Sequence, residues 1–281
     1  MLISSSKLLS EARKASSCIP AFNFYNLETA QAIFTVAKKA KRPVIAAFGE
    51  GYLGHASLEV IAGIVKTLAK EHPYPMVLHL DHCQSPDVIH KAIEAGFTSV
   101  MYDGSRLPLE ENIKNTRAIV DYAHQENVSV EGELGYLNPE DGSASATDQE
   151  QDGFTNPAEA LRFVTETGVD SLAVAIGNAH GLYKGVPELN IQRLTEIYNA
   201  VGIPLVLHGC SGIPAIKIQE AVSIAVAKIN INTELALAGS KGMAQLMQQD
   251  PNVRMEKLML KARESMAEAM IPFFTLSGKL I

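Results

Sequence analysis

Two hydrophobic patterns alternate along the chain. Short, continuously apolar runs predict strands near Pro20–Phe24, Pro43–Phe48, Met76–Leu80, Ser99–Tyr102, Val128–Glu133, Ser171–Ile176, Pro204–His208 and Lys228–Ile231. They do not alternate apolar with polar, which is the mark of parallel strands covered on both faces. Between them lie stretches such as "LETAQAIFTVAKKAKR" and "ENIKNTRAIVDYAHQEN", whose apolar residues recur every three or four positions, as in amphipathic helices. Pro43, Pro75 and Pro204 stand just before strands, where no helix continues. Eight strand–helix units predict a single α/β domain over residues 1–281, a (β/α)8 TIM barrel with a C-terminal helical extension, Val253 to Met270.

Several runs end in groups that prefer water or a cation. "VLHLDHCQS" breaks off into Asp81-His82, "PLVLHGCSG" reaches His208, and "LAVAIGNAHG" stops near His180. Barrel enzymes carry their chemistry at the C-terminal ends of the strands. The residues predicted there are Asn23, Gly49, Asp81, His82, Asp103, Glu133, Gly177, His180, His208 and Asn230. A lone buried histidine is usually a satisfied core residue. Three at matching strand ends point to metal ligation, because neutral imidazole is the commonest protein metal ligand. Three histidines with an open fourth position describe a catalytic zinc site, which could polarise a carbonyl. Adjacent strand side chains diverge, so Asp81 is expected to face the substrate as an acid/base group. The plainer alternative is a carboxylate that orients a histidine. His72, His90 and His124 fall in or near helical stretches and are expected at the surface.

Composition narrows the field. The chain has 281 residues, 47% hydrophobic and 20% charged, enough for a large core. A net charge of −7 argues against nucleic-acid binding, and no apolar run is long enough to span a bilayer. Cys18, Cys83 and Cys210 form neither a disulfide framework nor a Cys-x-x-Cys pair. With no signal-peptide pattern at the start, a cytoplasmic location is expected. The polar segment Gly135–Pro157 follows the strand ending at Glu133; it is either a plain surface insertion or a lid, and its position favours the lid. "HGCSG" and "KININTEL" follow the seventh and eighth predicted strands, where barrels commonly hold phosphate. Asn232-Thr233 opens a helix there, as an anion site, a plain N-cap, or both.

The motifs "PAFNFYN", "HLDHC", "VEGELG", "AVAIGNAHG", "LVLHGCSGIP" and "KININTEL" run in the order and spacing of one family. From Ile19 to about Leu235 the chain resembles the class II, metal-dependent fructose- and tagatose-bisphosphate aldolases. The resemblance implies zinc held by His82, His180 and His208. It implies Glu133 and Asp103 as carboxylates for an alternative metal position or a second cation. Asp81 would take the C4 hydroxyl proton as the C3–C4 bond breaks. Asn23 would help hold the enediolate. Gly181, Gly209, Cys210, Ser211, Asn230, Ile231, Asn232 and Thr233 would form the dihydroxyacetone-phosphate site, and Glu140 would be the loop acid that exchanges a proton with that product. A monovalent cation near the phosphate (sodium or potassium) and a homodimer or homotetramer are implied too. The place of the sequence in sugar-phosphate metabolism, of the glycolytic kind, follows from the same likeness.

Three departures from the family pattern matter. Asn138-Pro139 stands where the family's mobile loop usually has Gly-Gly, Gly49 replaces a common Ser or Thr, and the tail "AMIPFFTLSGKLI" lacks the Arg that reaches a second phosphate. Lys184, or a cation from a partner subunit, is the candidate to replace that Arg. The last two departures weaken the expectation of a bisphosphate and admit a ketose or sugar-acid 1-phosphate, while Pro139 restricts the backbone and changes how the loop closes. Two other classes compete. A barrel metal hydrolase would be expected to show His-x-His at the first strand, which "FNFYN" lacks. A non-catalytic sugar-phosphate sensor has no use for Asp81.

Overall fold

The computed structural model describes residues 1–135, 153–181, 183 and 185–278. Eight parallel strands close into a barrel in sequence order: β1 Ile19–Asn23, β2 Val44–Gly49, β3 Met76–Cys83, β4 Ser99–Tyr102, β5 Ser129–Leu134, β6 Ser171–Val174, β7 Leu205–Leu207 and β8 Val226–Ile231. Every predicted strand is present. In all but β3 each residue is buried, so the unbroken apolar runs reflect strands with side chains inside the barrel on one face and under helices on the other.

The helices outside the barrel start and stop on local chemistry. Asn26 and Thr29 form a capping box before α2 (Leu27–Ala40), after a first helix α1 (Ser5–Lys14). Ser57 and Ser85 cap α3 (Leu58–Lys70) and α4 (Pro86–Ala95), and α5 spans Leu109–Gln125. Asn156 and Asn190 cap α6 (Pro157–Thr167) and α7 (Ile191–Val201). Left-handed glycines Gly96, Gly168 and Gly202 end α4, α6 and α7. Then come α8 (Ala215–Ile224), α9 (Thr233–Gln249) and α10 (Met255–Leu276), the C-terminal extension. α10 runs past the expected Met270 and packs Phe273 and Phe274 on Phe22 of β1, with ring centroids 6.2 and 5.7 Å away. No helix of the described residues is long and apolar enough to cross a membrane.

Helix α1 was not anticipated. It closes the N-terminal end of the barrel, where Leu8, Leu9 and Ala12 pack on Ile19, Ala21, Ile45, Val77 and Ala227. Its Ser5 hydroxyl lies 2.7 Å from that of Ser129 and 3.2 Å from that of Ser99 inside the barrel. With that end plugged, the opposite end is left for chemistry. His72 is also a correction: it is buried, with Nε2 3.1 Å from the Phe34 carbonyl, because the chain after α3 folds back under α2.

Candidate active site

The C-terminal mouth of the barrel is a cleft of about 260 Å³. β3 supplies its centre through a bulge. Between Leu80 and Cys83 the pairing with β4 slips, and His82 adopts φ 47°. A left-handed histidine is uncommon and costs about 1–2 kcal/mol. The bulge turns Asp81 and His82, neighbours expected to diverge, into the same cleft. Expectation and structure differ here because strict alternation holds only while the ladder is regular.

Asp81 is 3% exposed and held from both sides. Asn23 Nδ2 donates to its Oδ2 at 3.0 Å, and Asn230 Nδ2 donates to its Oδ1 at 3.1 Å. Burial alone would raise its pKa, but the His82 and His208 imidazoles and the Lys228 ammonium outweigh that and keep the carboxyl well below its usual range. The Oδ1 of Asn230 is buried without a hydrogen-bond partner among the described residues, an acceptor open to a substrate hydroxyl.

His82, His180 and His208 converge so that one ring nitrogen of each lies within 4.8 Å of the others. Different elements aim them. His180 sits in the loop after β6, where Asn178 Nδ2 donates to the His208 carbonyl at 3.1 Å and the Tyr183 hydroxyl joins Ala179 N–H (2.8 Å) to the Gly209 carbonyl (2.9 Å). His82 Nδ1 faces Asp103 Oδ2 at 3.2 Å. His208 Nε2 faces Glu131 Oε1 at 2.8 Å. Each carboxylate accepts, so it draws the proton to the nitrogen it faces and leaves the other for the cleft. Those other nitrogens, His82 Nε2 and His208 Nδ1, lie 2.8 Å apart.

Two lone pairs at that distance need a proton or a cation between them. Burial opposes a charge on His82, but Asp81, the hydrogen bond to Asp103 and Glu133 push its pKa up to about 10. The two facing nitrogens are where a metal ion would sit. Burial and the nearby His82 hold His180 and His208 down, as metal ligands need. A second group, His82, Asp103 and Glu133, also meets the geometry for a cation. Glu133 Oε2 is buried without a hydrogen-bond partner among the described residues, and burial with the Asp103 charge pushes this carboxyl up to about 8. An orphaned carboxylate oxygen beside converging imidazoles fits a divalent cation.

The anion-prone end lies across the cleft, with Gly181, Gly209, Ser211, Asn232 and Thr233 on its wall. Gly209 has φ +64°, and a Cβ there would stand 2.0 Å from the Ala179 carbonyl oxygen, so only glycine fits. The Asn232 side chain does not cap α9. Its Nδ2 donates to the Tyr52 hydroxyl at 2.9 Å and its Oδ1 accepts from Tyr25. Ser211 Oγ accepts from Glu234 N–H at 3.2 Å, so its own proton can point to a ligand at the helix N-terminus.

Two expected substrate residues are not brought to the cleft. Cys210 turns its Sγ to the Leu207 carbonyl at 3.2 Å and gives its N–H to the Asn230 carbonyl, while Ile231 is fully buried in the core. In a strand or tight turn only alternate side chains reach the mouth. Glu140, Lys184 and most of the expected lid fall outside the described residues. Missed by sequence were Glu50, Tyr52, Gln84, Ser105 and Arg106 on the outer wall. They follow the ends of β2, β3 and β4, which was the one signal available. Tyr52 lies over Gly49, where a Cβ would meet its ring at 3.2 Å. Also missed was a buried layer beneath the cleft, made by His79, Glu131 and Lys228.

Comparison with known proteins agrees with this geometry. The family model "Fructose-bisphosphate aldolase class-II" matches residues 3–279. The chain belongs to the class II fructose-bisphosphate aldolase family. It is an aldolase, a carbon–carbon lyase. The YdjI aldolase from Escherichia coli K12 is 35% identical, with a TM-score of 0.88 over 99% of this chain and 98% of that one. A putative fructose-1,6-biphosphate aldolase from Coccidioides immitis is 30% identical, with a TM-score of 0.85 over 96% and 94%. Fructose-bisphosphate aldolase from Campylobacter jejuni, at 23% identity and TM-score 0.82 over 98% and 95%, shares the fold. Class II aldolases are generally metal-dependent and act on sugar phosphates.

Proposed function

We propose that this class II aldolase uses zinc and cleaves a ketose 1-phosphate, or less selectively a 1,6-bisphosphate, to dihydroxyacetone phosphate and an aldehyde. The observation that carries this reading is Asp81, clamped by Asn23 and Asn230 beside three converging imidazoles. His82, His180 and His208 would hold the zinc, with Asp103 and Glu133 as the alternative group. Zinc when bound supplies a Lewis acid for the substrate carbonyl and its neighbouring hydroxyl. Asp81 stays ionised, so it can accept the C4 hydroxyl proton. As it does, the C3–C4 bond breaks, its electron pair remains on C3, and C4 leaves as the aldehyde. Asn23 and Asn230 fix the accepting lone pairs, and Asn230 Oδ1 takes a substrate hydroxyl. The backbone at Gly181 and Gly209, Ser211 and the start of α9 at Asn232-Thr233 would hold the phosphate. Glu140 would return a proton to C3.

The outer cleft carries both signs, Glu50 and Arg106. A second phosphate would meet the Glu50 carboxylate as well as the guanidinium, which supports weak selection for it. A monovalent cation beside the phosphate and a homodimer or homotetramer belong to the same reading. Exposed Leu237, Met247, Met255, Leu260 and Ile271 on α9 and α10 favour self-association.

The test measures dihydroxyacetone phosphate released from a ketose 1,6-bisphosphate and from its 1-phosphate. We expect none after metal depletion, recovery with zinc, and less than about a hundredfold preference in kcat/KM. Undiminished turnover by metal-depleted protein would refute the reading.

A further inference from the structure

Lys228 touches no substrate in the chemistry above and acts on Asp81 only through its charge, yet it is 1% exposed inside the barrel. Its Nζ lies 2.8 Å from Glu131 Oε2 and 3.2 Å from His79 Nε2. Glu131, 2% exposed, uses its other oxygen on His208 Nε2 at 2.8 Å. His79 passes the contact on, with Nδ1 2.8 Å from the Ser99 hydroxyl and Nε2 3.8 Å from Asp81 Oδ1. One buried cation thus stands behind both a candidate metal ligand and the candidate base.

An ammonium only donates and a carboxylate only accepts, which settles the direction of every bond in the chain. His79 Nε2 accepts from Lys228, so its proton is on Nδ1 and goes to Ser99. Glu131 Oε2 accepts from Lys228. Glu131 Oε1 accepts from His208, so that proton is on Nε2 and the Nδ1 lone pair faces His82 across the cleft.

We propose that Lys228 is a positioning residue: by pinning Glu131 and His79 it fixes the tautomers of His208 and His79, and so keeps the His208 Nδ1 lone pair aimed at the metal site. The inference rests on His208 as a ligand, as proposed above. It differs from plain charge balance in one respect. An ammonium that only neutralised Glu131 would affect stability and leave the imidazole tautomers alone.

The discriminating variant is Glu131→Gln. The amide has the shape of the carboxylate but one oxygen, and Lys228 claims it. The amide N–H then faces His208 Nε2, which must accept, and the proton moves to Nδ1, aimed at the metal. Adding Lys228→Met frees the amide to turn its oxygen to His208, and the double variant carries neither buried charge. Zinc affinity is measured on folded full-length protein by chelator competition. Histidine tautomers are read from nitrogen-15 shifts of metal-free protein, assigned by loss of signal in His79→Gln and His208→Gln.

We expect wild type to carry protons on His79 Nδ1 and His208 Nε2. We expect Glu131→Gln to move the His208 proton to Nδ1 and weaken zinc at least about tenfold. The double variant returns the proton to Nε2 and recovers most of that loss. His208 keeping its Nε2 proton in Glu131→Gln overturns the proposal. If that variant does not fold, wild type alone decides, since a proton on His79 Nε2 or His208 Nδ1 contradicts the chain of donors. Tautomers as expected with unchanged zinc affinity would overturn the metal-directed role and the ligand assignment of His208 together.

Discussion

Replacing Asp81 by Asn removes the acceptor for the substrate proton and almost nothing else in shape. The effect divides into a rate and a stability. General-base catalysis contributes typically 10²–10⁴-fold, so turnover falls by about that range, some 3–5 kcal/mol of barrier. The stability change follows from two hydrogen bonds. Asn23 and Asn230 both donate to Asp81, at 3.0 and 3.1 Å. An amide at residue 81 offers one oxygen, so one buried donor faces another N–H. An unmet buried donor costs about 1–3 kcal/mol, which in a chain of this size lowers Tm by roughly 2–5 °C. The three imidazoles stay in place, so metal content is expected to hold. The assay is single-turnover cleavage per bound metal, with metal content and a thermal melt on the same sample. Lost metal with wild-type rate per metal ion would show that Asp81 orients a ligand and moves no proton.

Three further expectations follow from the site. The raised pKa of His82, about 10, means a metal must displace a proton at neutral pH. Apparent zinc affinity should therefore rise about tenfold per pH unit from pH 7 to 9, and a pH-independent constant from competition titrations would contradict a raised His82 pKa. Gly209→Ala places a Cβ 2.0 Å from the Ala179 carbonyl oxygen in a left-handed turn. It should cost at least about 2 kcal/mol in a denaturant melt and raise KM for the phosphorylated half, and a neutral outcome on both would remove this turn from the phosphate site. Glu140→Ala should lower kcat more than it raises KM, as loss of a lid acid would, and wild-type turnover would return the segment after Glu133 to a plain surface insertion.

Much of this protein could be read from one dimension. Continuous apolar runs gave all eight strands, because a parallel barrel strand is buried on both faces and needs no alternation. Asp81, His82, His180 and His208 stood out because imidazoles and a carboxylate at the ends of such runs have no structural reason to be there. Three things needed the closed barrel. The bulge that turns Asp81 and His82 the same way depends on the register of β3 against β4. The inward turn of Cys210 and Ile231 depends on which side chains alternate towards the mouth. The layer of Lys228, Glu131 and His79 joins residues up to 149 apart in sequence. Each looks like an ordinary strand residue, and only barrel closure sets them face to face. Periodicity reports which groups leave water. The direction in which a buried charge points is set by partners from other strands, and no local pattern encodes those.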